Sequence, residues 1–448
     1  MKSHIFREYD IRGIFPEELN RETVHELGLA IGTYYRDNGA GRISVGRDCR
    51  LSSPDISKWL IEGLMESGMG VVDVEMVPTP LLYFSLHQLD VDGGVQITGS
   101  HNPPEFNGFK VCLGTTSIHG DEIQKIRKIC ESADFSHGKG GLEKADIVDP
   151  YIQFLEKNIQ PGPVKRSVVL DAGNGIGGPV ALEIYKRIGF EVIPLYCEPD
   201  GRFPNHHPDP TIPKNLEAMI SKVSETSADL GIAFDGDADR IGVVDQKGSI
   251  IWGDQLMIVF SRDLLTRHPG GKIIGEVKCS QALYDDIESH GGKAIMWKAG
   301  HSLIKSKMKE EGALLAGEMS GHLFFAERYF GFDDAIYAGI RLLEILSRTE
   351  KTLHELLGDI PEMVNTPEIR MDCPEEKKFQ VVAALVEEFK KEYKVIDVDG
   401  ARVLFDGGWG LVRASNTQPV LVLRFEAMDE KRLEEIRKIF MEKLEKKL

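Results

Sequence analysis

The sequence predicts an α/β protein of several domains that closes with a smaller α+β domain. Three observations carry this. Short β-branched runs alternate with helix-length amphipathic stretches, the pattern of βαβ units. A strand–loop–helix start recurs at intervals of roughly one small domain. From Glu368 onward the order changes to one long helix, short strands and a final helix. The 448 residues suit roughly three domains at about 150 residues each, with two to four allowed.

The elements follow in order. Residues 41–46 (GRISVG) predict a strand and 54–67 the helix after it. Residues 93–97 form another apolar run. Residues 167–171 (SVVLD) predict a strand, followed by a glycine-rich turn and a helix to about Arg187. Residues 272–277 (KIIGEV) begin the third repeat, with a helix over 281–290. Boundaries are expected near 149–150, near Gly253 and within 361–367, which divides the chain into 1–149, 150–253, 254–365 and 366–448. The last part predicts a helix over 375–391, strands at 401–405, 410–413 and 420–426, and a helix from Glu430. Leu433, Ile436, Ile439, Phe440 and Leu444 recur at helical spacing there. The alternating Glu/Lys of its polar face suits a helix docked on its own domain better than one lying on a membrane.

Composition removes several function classes. With 42% hydrophobic and 28% charged residues, the chain is not largely disordered. No stretch reaches the roughly 18 apolar residues of a spanning helix, and the first residues (MKSHIFREYD) lack a secretory pattern. A net charge of −17 opposes nucleic acid and acidic membranes. An anionic small molecule stays open wherever basic residues converge. Cysteines 49, 112, 130, 197, 279 and 373 show no C-x-x-C spacing, which suits reduced thiols in a cytoplasmic protein.

Four short segments carry chemistry. Asp235, Asp237 and Asp239 alternate in D-G-D-A-D-R after an apolar strand at 229–234, so three carboxylates could converge on one cation. Hard oxygen ligands at this density suit Mg²⁺ or Ca²⁺. An EF-hand does not fit, because Arg240 takes its sixth place instead of glycine and Gln246 its twelfth instead of glutamate. In T-G-S-H-N-P, Ser100 stands on a glycine-adjacent loop at a strand end, where a base or metal can activate it as a nucleophile; a plain turn has the same composition. In G-E-M-S-G-H (317–322), a carboxylate, a hydroxyl and an imidazole cluster between glycines and could bind a polyhydroxyl ligand. In R-A-S-N-T-Q-P (413–419), a guanidinium beside loop hydroxyls and amides can cradle a phosphate, although an exposed polar turn has the same look. One further match, G-N-G-I-G-G at 173–178 with Glu191 downstream, fits a dinucleotide fingerprint. Glu191 starts its strand, whereas a ribose-binding acid ends one, so a tight strand-to-helix turn is expected instead.

Together these motifs resemble the α-D-phosphohexomutase family, in the same order and over most of the chain. Tyr9-Asp10-Ile11-Arg12-Gly13 and Asn107-Gly108-Phe109-Lys110 are also typical of that family. The resemblance implies three related α/β domains with mixed sheets and a smaller C-terminal α+β domain around a central cleft, each lending one loop. It implies that Ser100 carries a phosphoryl group and gives it to a hexose 1- or 6-phosphate. A hexose 1,6-bisphosphate forms, turns over in the cleft and returns its other phosphate.

By the same resemblance Ser100, Asp235, Asp237 and Asp239 hold Mg²⁺. Arg12, Lys110 and Arg240 place positive charge around the transferring group. Lys110 or His322 moves the proton of the sugar hydroxyl. Glu318 and Ser320 meet sugar hydroxyls. Arg413, Ser415, Asn416 and Thr417 grip the idle phosphate, with Tyr9, His101, Lys278 and His301 as further contacts. Basic side chains converging in an acidic shell would concentrate a doubly phosphorylated ligand.

Met319 in the sugar loop and the S-N-T of the phosphate loop resemble the bacterial phosphomannomutase/phosphoglucomutase branch. Phosphoglucosamine mutases usually show glutamine and S-G-T at these places. Gln418 departs from the usual residue of the loop. A phosphoglucosamine mutase, a dinucleotide oxidoreductase on 173–178 and a non-catalytic binding module for cations or sugar phosphates are the rival readings. The expected partners are small sugar phosphates, in a monomer or small homo-oligomer.

Overall fold

The computed structural model describes residues 2–416 and 418–447. Among them the strands form four sheets. Three share one plan. In each, a first strand is central, two parallel neighbours flank it, and an antiparallel strand lies outside the third. In the first sheet these strands are Arg42–Arg47, Gly70–Met76, Gly93–Ile97 and Phe106–Leu113. In the second they are Ser167–Asp171, Glu191–Leu195, Leu230–Phe234 and Ile241–Asp245. In the third they are Lys272–Glu276, Lys293–Trp297, Leu315–Gly317 and Leu323–Phe325. Mixed sheets follow directly. A parallel step needs a helical crossover, whereas the last step is a hairpin turn.

That last turn matters most. The Ser100, Asp235–Asp239 and Glu318–Ser320 loops all occupy the turn between third and fourth strands. The fourth sheet is antiparallel, and its residues 415–419 span the equivalent hairpin between Gly408–Ala414 and Val420–Ala427. A hairpin end is free of ladder pairing, so each sheet presents side chains there without losing strand hydrogen bonds.

The expected helices are present within a residue or two at most ends, as frayed termini allow: Ser53–Glu66, Gly177–Ile188, Gln281–Ser289, Glu375–Phe389 and Glu430–Glu445. Breaks near 149–150 and 253 fall on helix starts. Pro150 sits in the first turn of Val148–Asn158, where its missing N–H costs nothing, and Gly253 opens Gly253–Arg267. The last helix starts on Asp429, whose side chain accepts the Arg432 N–H at 2.8 Å. It buries Leu433, Ile436, Phe440 and Leu444 on its own sheet. Each such side chain contributes about 1.5–3 kcal/mol. Short strands at Val364–Asn365, Ile369–Asp372 and Lys394–Ile396 complete the fourth sheet and are not foreseen from the sequence, because each is too brief to show a period. No helix among the described residues is long and apolar enough to cross a membrane.

Candidate active site

The Ser100 hairpin is held in a conformation side chains rarely adopt. Ser100 is buried with φ of 47°, and its N–H donates to Thr98 Oγ1 at 2.8 Å. Its hydroxyl donates to Asp235 Oδ2 at 2.9 Å and lies 3.2 Å from His101 Nδ1. Backbone strain concentrated at Ser100 is what a functional site shows. Gly236 explains how the second hairpin gets so close: a Cβ there would collide with the Ser100 carbonyl oxygen.

Asp235, Asp237 and Asp239 are fully buried and bring oxygens within 4.8 Å of one another. Asp235 Oδ1 accepts the N–H groups of Asp239 and Arg240 at 3.1 Å. Burial and then the two neighbouring carboxylates push the Asp235 carboxyl well up. Asp237 is held low: burial would raise it, but Lys110 outweighs that. Lys110 Nζ lies 2.8 Å from Asp237 and also pairs with Asp239. Burial would lower the ammonium, yet the two aspartates hold it well above its usual range. Asp237 Oδ1 and Asp239 Oδ1 are buried without a hydrogen-bond partner. Orphaned carboxylate oxygens facing a shared centre fit a hard divalent cation.

The third hairpin packs on the second. A Cβ on Gly321 would overlap the Ile241 carbonyl, and Ile241 N–H donates to Gly321 O at 3.1 Å. Glu318 Oε1 accepts the Gly300 N–H at 2.7 Å, which ties the 317–322 loop to the His301 turn. His322 Nε2 accepts from Arg240 Nε at 3.0 Å, so its proton sits on Nδ1, 3.0 Å from Asp333 Oδ2. Asp333 Oδ1 accepts from Lys305 Nζ at 3.0 Å. Burial would raise Asp333, but Lys305 and then His322 and His301 hold it well down. His301 stacks on His322 with centroids 5.3 Å apart and meets the edge of Tyr9 at 5.9 Å. Burial holds both His301 and His101 well below the usual imidazole range, aided by Lys305 for the first and Arg240 for the second.

The fourth hairpin closes the ring. Arg413 Nε donates to Asp399 Oδ2 at 2.8 Å. Asn416 Nδ2 donates to the Tyr9 hydroxyl at 2.7 Å, and that hydroxyl donates to Ala299 O at 3.1 Å. Burial pushes the Tyr9 phenol up to about 12. Lys278 lies 3.3 Å from Glu368 and 3.5 Å from Glu276. The result is a cleft of about 730 Å³. Its lining includes Tyr9, Arg12, His101 and Arg240, then Lys278, His301, Glu318, Ser320 and His322, and also Arg413, Ser415 and Asn416. Ser100, Lys110 and the three aspartates sit behind this lining at the cleft floor. Thr417 lies outside the described residues.

The glycine-rich loop at 173–178 has a different use. A Cβ on Gly175 would come within 2.8 Å of Gly236 O, and one on Gly177 within 2.7 Å of the Ala238 Cβ. These glycines let the aspartate hairpin lie against the first strand's turn, and protein fills the space a pyrophosphate would need. Sequence reasoning misses three buried groups behind the loops: Asp48, Arg50 and Asp333. The first two stand at a strand end in R-D-C-R, a position that could have flagged them. Asp333 has only the adjacent Asp334 helix cap as a signal.

Four family models match the chain. They are the phosphoglucomutase/phosphomannomutase alpha/beta/alpha domains I (residues 3–137), II (149–248) and III (252–364), and the C-terminal domain (368–443). A phosphomannomutase/phosphoglucomutase of Pseudomonas putida is 48% identical over 441 residues, covering 98% of this chain and 95% of that protein. A phosphoglucomutase of Neisseria gonorrhoeae is 46% identical, covering 97% and 95%. The crystal structure of a phosphoglucomutase/phosphomannomutase family protein from Burkholderia thailandensis superposes with a TM-score of 0.93 at 42% identity, covering 99% of this chain and 97% of that one.

Proposed function

The chain belongs to the phosphoglucomutase/phosphomannomutase family, and on that premise we propose that Ser100 shuttles a phosphoryl group between C1 and C6 of a hexose phosphate. The protein is a phosphohexomutase. Mannose and glucose phosphates are the substrates of this reading, and hexose 1,6-bisphosphate is its intermediate and activator. The single observation that carries it is the Ser100 hydroxyl, 2.9 Å from a buried three-carboxylate cluster at the floor of a cationic cleft.

Asp235, Asp237, Asp239 and the Ser100 phosphoryl oxygen are the ligands proposed for Mg²⁺, which when bound neutralises charge on the transferring group. Arg12 and Arg240 bring positive charge to the same group from the cleft wall. The sugar hydroxyl attacks the phosphorus, and its bond to Ser100 Oγ breaks as the new one forms. His322 takes the hydroxyl proton on Nε2 once Arg240 has turned from that lone pair to the phosphoryl group, because its Nδ1 proton already faces Asp333. Lys110 is engaged by two carboxylates and stays a fixed cation. Glu318 and Ser320 hold sugar hydroxyls. Lys278, Arg413, Ser415, Asn416 and Thr417 hold the idle phosphate, with Tyr9, His101 and His301 completing the wall. The bisphosphate then turns over and returns its other phosphate to Ser100. In this reading the four domains are 1–149, 150–253, 254–365 and 366–448. The protein is a monomer or small homo-oligomer, and its six unpaired cysteines suit the cytoplasm.

Phosphorus NMR tests the reading on Mg²⁺-loaded protein primed with a trace of glucose 1,6-bisphosphate. Mannose 1-phosphate and glucose 1-phosphate should convert to their 6-phosphates, and glucosamine 1-phosphate should convert little. Conversion mainly of the glucosamine compound would move the protein to that branch, and conversion of none would end the mutase reading.

A further inference from the structure

Arg50 is 1% exposed, and every one of its N–H donors is used. Nε donates to Asp48 Oδ2 at 3.2 Å. Nη1 donates to the carbonyls of Pro103 at 2.6 Å and Phe106 at 2.9 Å. Nη2 donates to the carbonyls of Ser100 at 2.8 Å and Asn102 at 2.6 Å. Four carbonyls of the nucleophile loop thus converge on one planar cation. Arginine is the only side chain with five donors in a fixed fork, so no other residue can satisfy this set. Asp48 locks the arrangement by also accepting the N–H groups of Arg50 at 3.0 Å and Gly99 at 3.1 Å. The guanidinium lies 5.2 Å from the Phe203 ring centre, so the second domain closes over its face.

The consequence follows from peptide planarity. The Ser100 carbonyl turns inward to Arg50, so the His101 N–H on the same peptide turns the opposite way. No protein acceptor takes that amide among the described residues, and His101 lines the cleft. The left-handed Ser100 conformation needs outside support to persist. We propose that Arg50 is a positioning residue for phosphoryl transfer: it holds the loop by its carbonyls so that the Ser100 oxygen and the His101 amide face the transferring phosphoryl group together. This rests on Ser100 being the phosphoryl carrier.

The test uses the full chain, Mg²⁺-loaded and bisphosphate-primed, with glucose 1-phosphate. Arg50→Lys keeps the charge but offers at most three donors. It is expected to lower kcat by about 100-fold or more while KM stays within about 3-fold, since sugar and idle phosphate are held by other loops. In Arg50→Ala, added methylguanidinium is expected to restore at least about tenfold of the lost kcat, and to restore nothing in Ser100→Ala. A merely structural arginine would lower the unfolding temperature without that split or rescue. The proposal is overturned if Arg50→Lys keeps kcat within about 3-fold, or if folded Arg50→Ala shows no rescue. If Arg50→Ala does not fold, the kcat–KM split of Arg50→Lys decides alone. A wild-type protein that converts no hexose phosphate would instead sink the mutase reading.

Discussion

The three α/β domains and the C-terminal domain are built into the molecule in different ways. One apolar core joins the first three, from Val74 and Phe84 through Tyr185 and Phe234 to Phe325 and Leu353, and the first domain has a second core of its own between Ile5 and Ile126. The C-terminal domain keeps a separate core between Cys373 and Leu444. Where it meets the third domain, the apolar contact centres on Val277, Trp409 and Leu411, and much of the rest is polar. Arg402 donates to the carbonyls of Val277 at 2.6 Å and Cys279 at 2.7 Å. Glu426 accepts from Ser280 Oγ at 3.0 Å and Trp409 Nε1 at 2.8 Å. The domains that bear the Ser100, Asp235–Asp239 and Glu318–Ser320 hairpins are thus tied by a shared core, while the hairpin after Ala414 belongs to a domain whose core is separate from it. Positioning for bond making needs the first arrangement. Turning an intermediate over between two transfers is served by the second.

The comparison can be broken at several points. Ser100→Ala is expected to lower the mutase rate by about 10⁴-fold or more with the fold unchanged, read by NMR conversion and thermal unfolding. Retained activity would take chemistry out of the shared body. Chelation should abolish turnover, and Mg²⁺ should restore it, without unfolding the chain. Arg413→Ala should raise KM by about tenfold or more with a smaller effect on kcat if, as proposed, its loop holds the phosphate that is not reacting. A loss wholly in kcat would place the fourth hairpin in the chemistry. Arg402→Ala leaves buried carbonyls unpaired at the junction. It should separate the thermal transition of the C-terminal domain from that of the rest, seen by calorimetry.

The smallest expected effect concerns Glu276. Burial pushes this carboxyl up to about 7 against the opposing pull of Lys278. The folded state therefore binds a proton there that the unfolded state has lost between the ordinary glutamate range and about 7. Stability from this group falls as pH rises through that window. Glu276→Gln should flatten that part of the stability–pH curve, and an unchanged slope would show that another group carries it.

Much of the fold was legible because its strands are short and β-branched and its turns rich in glycine. The motifs were legible because each compresses its chemistry into six or seven consecutive residues. What the sequence hid is contact between distant segments. Arg50 meets carbonyls some fifty residues away, and His322 meets Asp333 across a strand. The glycines at 173–178 carried a fingerprint of another function, and only the Cβ-free approach of Gly236 and Ala238 reveals why they are glycine. The common hairpin position of all four loops is likewise a matter of strand order, which spacing along the chain does not encode.

Several donors of the cleft already have protein partners: Arg413 with Asp399, Arg240 with His322, Lys278 with Glu368, and Asn416 with Tyr9 as their neutral counterpart. A sugar phosphate that enters exchanges these hydrogen bonds for its own, and adds new ones at donors such as Arg12 Nε that have none. Net affinity is then a small difference between two large terms, and departure is assisted by the same internal partners taking their donors back. If a bisphosphate turns over in the cleft as proposed, binding that works largely by replacement serves both its retention and the release of a monophosphate.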